Sequence, residues 1–355
     1  MRSSILLTLI MSAPLAAQPA EKPRPAASAA VTEQPFVRAD AEAAVSELAA
    51  ALDNYFVIPE AGHIYAAMLR SNLASGRYSN HPDAQAFAAM VTADLQAVHQ
   101  DGHLRLQVIP PDKENGSRDV SGSSDESAVA KSGWLAEGVA YIDFKKFPGN
   151  ASTLAEVRAF LAKYRDAKTL IIDERANRGG GLAEMNLIFR QIYTRPTVLL
   201  DMETTTATER DHGHPPDAAD SMRTVAAPKG LVRREQFVLP AAKQGGLAVA
   251  KIYVLTSNRT ASAAEHFAFA LKRTHRATLI GETTKGAGNF GAMVPMGTGY
   301  AAFIPVGRTF DPDTDKGWEG IGVQPHVTVA ADKALEEALK LAGVSETAAA
   351  LAALK

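Results

Sequence analysis

Cysteine is absent from all 355 residues, which excludes disulfides, a thiolate metal site and a cysteine nucleophile. Charge of one sign is also lacking. The 37 Lys and Arg stand against 39 Asp and Glu, a formal net charge of -2, so there is no basic field to attract nucleic acid. No apolar run approaches the roughly 20 residues of a membrane-spanning helix, and no membrane span is expected. The phosphate loop G-x-x-x-x-G-K-[ST] and the dinucleotide fingerprint G-x-G-x-x-G are both missing. His212-Gly-His214, a close histidine pair, lies in a polar Asp/Pro-rich loop with no clear third ligand. Neither a cofactor nor a metal is therefore expected. What the chain has in quantity is aliphatic residue: 46% is hydrophobic while only 6% is aromatic, enough for an ordinary core. Its length suits two domains, or one large domain with an appendage.

Residues 1–17 read as a cleavable secretory signal. Arg2 supplies the charge, Ile5 to Met11 the short apolar stretch, and Ala16-Ala17 the small residues for cleavage. No cysteine follows to take a lipid anchor, so a periplasmic or secreted protein is expected. Residues 18–34 are a Pro/Ala-rich leader. Residues 35–108 form a helical domain, with Val45, Leu48, Ala49 and Leu52 at helical spacing, then Ile64, Met68, Leu69 and Leu73, then Phe87, Met90, Val91 and Leu95. It closes on a strand in which Leu104, Leu106 and Val108 alternate with His103, Arg105 and Gln107. Residues 109–128 are a polar linker and 346–355 a tail. Between them, 129–345 alternate strand and helix, the pattern of an α/β core. Thr169-Leu-Ile-Ile172 is a continuous apolar strand of the kind covered on both faces. Strands near Ile252, Thr278 and Ala302 are expected to continue the same sheet, and the polar stretch from Thr204 to about Lys229 to form a lid.

Four separated segments carry chemistry. Ser262-Ala-Ala-Glu265 follows the apolar strand at Ile252 to Leu255 and opens a helix. That is the sequence of a capping box, in which the hydroxyl serves the helix amides. It is equally the place for a nucleophile, a hydroxyl at a helix N-terminus among N–H groups that favour developing negative charge. Asp101-Gly102-His103 offers an imidazole, the usual general base for a serine. Asp173-Glu-Arg-Ala-Asn-Arg-Gly-Gly-Gly181 is a glycine turn after a buried strand, either a plain tight turn or a cradle of backbone N–H groups. Gly317-Trp-Glu319-Gly-Ile-Gly-Val-Gln-Pro325 puts a carboxylate among glycines and apolar residues. It is a solvated loop acid or a partner that orients a histidine.

Taken together, these segments resemble the tail-specific, or C-terminal-processing, serine peptidase family. The match is narrower with the branch related to tricorn protease and the interphotoreceptor retinoid-binding protein. Asp173-Glu-Arg-Ala-Asn-Arg-Gly-Gly180 matches its D-x-R-x-N-x-G-G turn. Ser262-Ala-Ala-Glu265 with Gly281-Glu-Thr-Thr284 matches the nucleophile helix and the strand-end after it. Trp318 to Pro325 matches W-E-G-x-G-V-x-P. The resemblance implies an α/β, crotonase/ClpP-like ββα core behind an N-terminal helical domain, without room for a PDZ domain. It implies Ser262 as nucleophile, His103 as base and Glu319 as the acid of a Ser-His-Glu arrangement. Gly179 or Gly180, with Ala263, would supply the oxyanion hole. The substrate would be a peptide or unfolded protein; a non-catalytic binder of apolar ligands and an esterase or amidase are the rival functions on such a scaffold. Three positions depart from the pattern. Ala287 occupies the place of the base in the lysine-dependent branch, with Lys285 out of register. Gly102 stands where the tricorn pattern has a serine, reducing a four-member relay to three. His326 follows Pro325 where an aspartate is usual.

Overall fold

In the computed structural model, residues 34–109, 125–213, 221–345 and 350 are described. The expected signal and leader, most of the linker, His214 and part of the expected lid lie outside them. At the centre is β4 (Thr169–Asp173), every residue of which is buried. It pairs in parallel with β3 (Val139–Phe144) on one side and β8 (Lys251–Thr256) on the other. The sheet runs β2-β3-β4-β8-β9-β12, with β2 (Val129–Ala136) antiparallel at one edge, then β9 (Thr278–Gly281) and β12 (Val327–Thr328) parallel at the other. The strand pleat explains why these runs are apolar throughout. Leu170, Ile172, Ile252, Val254 and Leu279 face one core with α4 (Ala151–Lys163), α5 (Ala183–Ile192) and α7 (Ala263–Arg273). Ile171, Tyr253, Leu255 and Ile280 face another with α8 (Ala334–Leu341).

A second sheet corrects the expectation of a single continuous one. β5 (Thr197–Thr205) and β11 (Tyr300–Phe310) do not extend the parallel sheet. They pair antiparallel with each other and with β1 (Arg105–Val108), β7 (Leu231–Val238) and β10 (Asn289–Pro295), in the order β1-β11-β5-β7. Helices α1 (Arg38–Tyr55), α2 (Pro59–Ala74) and α3 (Ala84–Val98) lie against it, with Leu48, Leu69 and Val91 sharing a core with Leu106, Tyr300 and Ile304. Of the expected lid, α6 (Thr206–His212) and β6 (Met222–Val225) are described, the latter paired with β7. The consequence for the site is that His103 enters on the bend just before β1, an edge strand of the second sheet, and not within the strand as its alternation suggested, while Ser262 follows β8 of the first. The two sheets are joined by Arg273 of α7, whose guanidinium donates to the carbonyls of Val198 and Leu199 at 2.9 and 3.1 Å.

Candidate active site

The turns after β4 and β8 are laced together. Ala261 N–H donates to Asn177 O at 3.1 Å, Thr260 Oγ1 to Glu174 O at 2.8 Å, and Ser257 Oγ to Arg175 O at 2.6 Å. Ser262 then enters α7 with φ 57° and ψ -122°. An ordinary helix cap has an extended backbone. A non-glycine residue in this region costs about 1–3 kcal/mol and persists only where its surroundings impose it. Gly179 is part of that imposition. Its φ is 93°, and a Cβ on it would lie 2.7 Å from both Ala261 O and Ser262 Cβ, and 2.8 Å from Ala263 N. The glycine turn therefore abuts the serine.

The amides around the serine are not equivalent. Gly179 N–H donates to Asn177 Oδ1 at 2.8 Å. Gly180 N–H and Ala263 N–H have no acceptor among the described residues. Of the three expected oxyanion donors, two are open and one is occupied. Asn177 is itself oriented from below, since its Nδ2 donates to Glu174 Oε2. Glu174 is fully buried with Oε1 unpartnered among the described residues, and burial pushes its carboxyl well above the usual range.

Forty-odd residues of helix and a strand turn deliver His103. Asp101 is buried, and its Oδ1 accepts from His103 N–H and Leu104 N–H at 2.8 Å each. Its Oδ2 accepts from Asn289 Nδ2 at 2.9 Å. The imidazole stacks on Phe303 of β11 with centroids 4.7 Å apart, and Nδ1 is buried without a hydrogen-bond partner among the described residues. Burial pushes the His103 pKa down to about 4. The Asp101 charge opposes that fall, while Arg105 and Lys285 reinforce it. A neutral imidazole at neutral pH is the form that accepts a proton.

Glu319 is not bonded to that ring. Its Oε1 accepts from Gly102 N–H, and its Oε2 from Gly288 N–H and Asn289 N–H, all at 2.6 Å. Burial, then the Asp101 charge, push its pKa up to about 7 against the pull of those three amides. Gly102 explains its own departure from the tricorn pattern. A Cβ there would meet Gly286 O at 2.7 Å and Ala287 Cα at 2.8 Å, so the close-packed strap of residues 284–289 excludes a serine. The buried Ala287 lies in that same contact.

Ser262 and the glycine turn thus come together directly, and His103 and Glu319 come together through the backbone of Gly102. Among the described residues no hydrogen bond joins Ser262 Oγ to the imidazole; the strap connects the two halves. Sequence reasoning missed Asp101, Asn177 and Asn289 as parts of the site. Asp101 stands two positions before the histidine and Asn177 two before Gly179, where short polar side chains cap turns, and that was the available sign.

The comparisons agree with this architecture. The family model described as Peptidase family S41 matches residues 138–329, and that for the N-terminal domain of Peptidase_S41 in eukaryotic IRBP matches residues 29–134. Among solved structures, the photosystem II D1 C-terminal processing protease aligns with TM-score 0.51 and 17% identity, covering 88% of this chain and 99% of that one. A lipoprotein from Streptococcus agalactiae aligns with TM-score 0.52 and 14% identity, covering 85% and 95%. A candidate peptidase from Parabacteroides merdae aligns with TM-score 0.58 and 16% identity, covering 85% and 96%. At such identities the shared structures speak for the fold.

Proposed function

The chain belongs to peptidase family S41, and on that premise we propose that it is a serine peptidase that cleaves peptides or unfolded proteins through an acyl-enzyme on Ser262. Neutral His103 takes the proton of Ser262 Oγ as the oxygen attacks the peptide carbonyl. The N–H groups of Gly180 and Ala263 receive the oxyanion, each worth about 3 kcal/mol in sites of this kind. Protonated His103 then gives its proton to the leaving amine, and water repeats the sequence to release the acyl group. Asp101 places a negative charge where the imidazolium forms. Glu319 holds the histidine turn by its backbone, so the Ser-His-Glu arrangement works through Gly102 N–H instead of through the ring. The N-terminal signal pattern supports action in the periplasm or outside the cell.

The observation that carries this reading is a serine at positive φ beside two unsatisfied amides. A serine-directed phosphonate tests it. Labelling should fall on Ser262, and Ser262→Ala should abolish both labelling and hydrolysis of an unfolded protein, a loss on the order of a millionfold in kcat. An unlabelled wild type would leave the scaffold as a binder. Cleavage of small esters without cleavage of peptides would make it an esterase.

A further inference from the structure

Glu265 does more than cap a helix. Its side chain is fully buried. Oε2 accepts from Ser262 N–H at 2.8 Å and Ala287 N–H at 2.9 Å. Oε1 accepts from Thr284 Oγ1 and Gly286 N–H at 2.6 Å each. A carboxylate offers about four acceptor sites, so this one is saturated. A capping box needs only the first of these bonds; the other three go to the strap. From the far side, Glu319 grips the same strap at Gly288 and Asn289, and grips Gly102 as well. The strap has no slack against the histidine turn, because Gly102 has no room for a Cβ between it and Gly286 and Ala287. The contacts form one line: Ser262, Glu265, the strap, Glu319, Gly102, His103.

We propose that Glu265 is a positioning residue that sets the spacing between nucleophile and base by holding Ser262 and the strap to one buried carboxylate. This rests on the acyl-enzyme reading and adds to it a role for a side chain that touches no substrate. It acts on the chemical step, since what it holds are the proposed nucleophile and the strap against which the turn of the proposed base is packed. Misplacement of a reacting group by about 1 Å is worth roughly a hundredfold in rate.

Glu265→Gln keeps the size and puts an amide donor against donors. It should lower kcat about a hundredfold with KM within about threefold, and slow phosphonate labelling per folded molecule in the same proportion. Loss of folded protein alone lowers the yield of label and leaves the rate for the remaining molecules unchanged, so the rate separates positioning from mere stability. Thr284→Val, which removes one donor and little volume, should lower kcat about tenfold. A folded Glu265→Gln that labels at the wild-type rate, or raises KM with kcat unchanged, overturns the proposal. If Glu265→Gln does not fold, a Thr284→Val enzyme with wild-type kcat overturns it. A wild type that takes no label at Ser262 overturns the acyl-enzyme reading and the positioning role with it, whereas a labelled wild type beside an equally fast variant overturns positioning alone.

Discussion

The half of this site proposed to carry the nucleophile and the half proposed to carry the base are held by different physics. The nucleophile half is built where two neighbouring parallel strands end: β4 and β8 pair through Asp173 and Leu255, and the turns after them interlock. Its donors are backbone groups fixed by the sheet, and its strain sits on Ser262. The base half is gathered from three remote segments, 101–103, 284–289 and 319. Its cohesion comes from two carboxylates, Asp101 buried and Glu319 half-buried, accepting backbone amides: Asp101 takes two, Glu319 three. A sheet-built site resists single side-chain changes and fails when its backbone is blocked. A carboxylate-built site keeps its backbone and fails when one acceptor is removed, because buried donors are left unpaired.

The largest effect should therefore come from blocking the backbone of the nucleophile half. Gly179→Ala would force an L side chain to φ 93° and drive its Cβ to 2.7 Å from Ala261 O and Ser262 Cβ. A loss of about a thousandfold in kcat is expected, with about 1–3 kcal/mol of destabilisation read from the urea midpoint. If more than about a tenth of the activity survived, the glycine turn would be soft and the contrast with the base half would fail.

The base half should break with a conservative change. Glu319→Gln keeps the volume but turns one acceptor oxygen into a donor facing amides. About a hundredfold loss in kcat is expected. The pH profile sharpens this. The Glu319 pKa stands at about 7, and only the ionised carboxylate accepts all three amides without a proton in the way. Wild-type kcat should therefore rise as pH climbs through about 7, and Glu319→Gln should be flat across that range. A variant that keeps the same rise would take the limb away from Glu319.

This division also decides what could be read from the chain alone. The strand-turn-helix segments around Gly179 and Ser262 are local, and period, glycines and capping residues mark them within a dozen positions. The apolar stretches of β4 and β8 were legible for the same reason, since burial on both faces leaves no polar residue to interrupt them. The second sheet was not legible. β1, β5 and β11 pair antiparallel over long separations, and nothing in their alternation says which sheet they join. Glu319 could be singled out as a candidate, but its partners could not, because a backbone N–H is the same at every residue and leaves no mark on composition. Glu265 was half legible: the bond to Ser262 N–H follows from the spacing, while those to Thr284, Gly286 and Ala287 depend on where the strap returns. Gly102 looked like a lost relay serine until the strap beside it showed that no side chain fits.

The smallest change separates the charge of the base half from its geometry. Asp101→Asn keeps an oxygen for the His103 and Leu104 amides, and the Asn289 side chain can turn its own amide to match. What goes is the negative charge. That charge raises the His103 pKa against burial, and is the second cause, after burial, of the rise at Glu319. Removing it lowers both. The acid limb of kcat/KM, set by His103 at about 4, and the limb near 7 from Glu319 should both move to lower pH, with the maximal rate changed by less than about tenfold. The signs are what matter. If Asp101 served as a proton donor, its loss would remove a limb instead of shifting two in one direction. If it served only as a turn cap, neither limb would move. A histidine resonance followed by NMR titration reads the first shift without any substrate, so the electrostatic coupling of Asp101 to His103 can be measured whether or not the peptide that this site accepts is in hand.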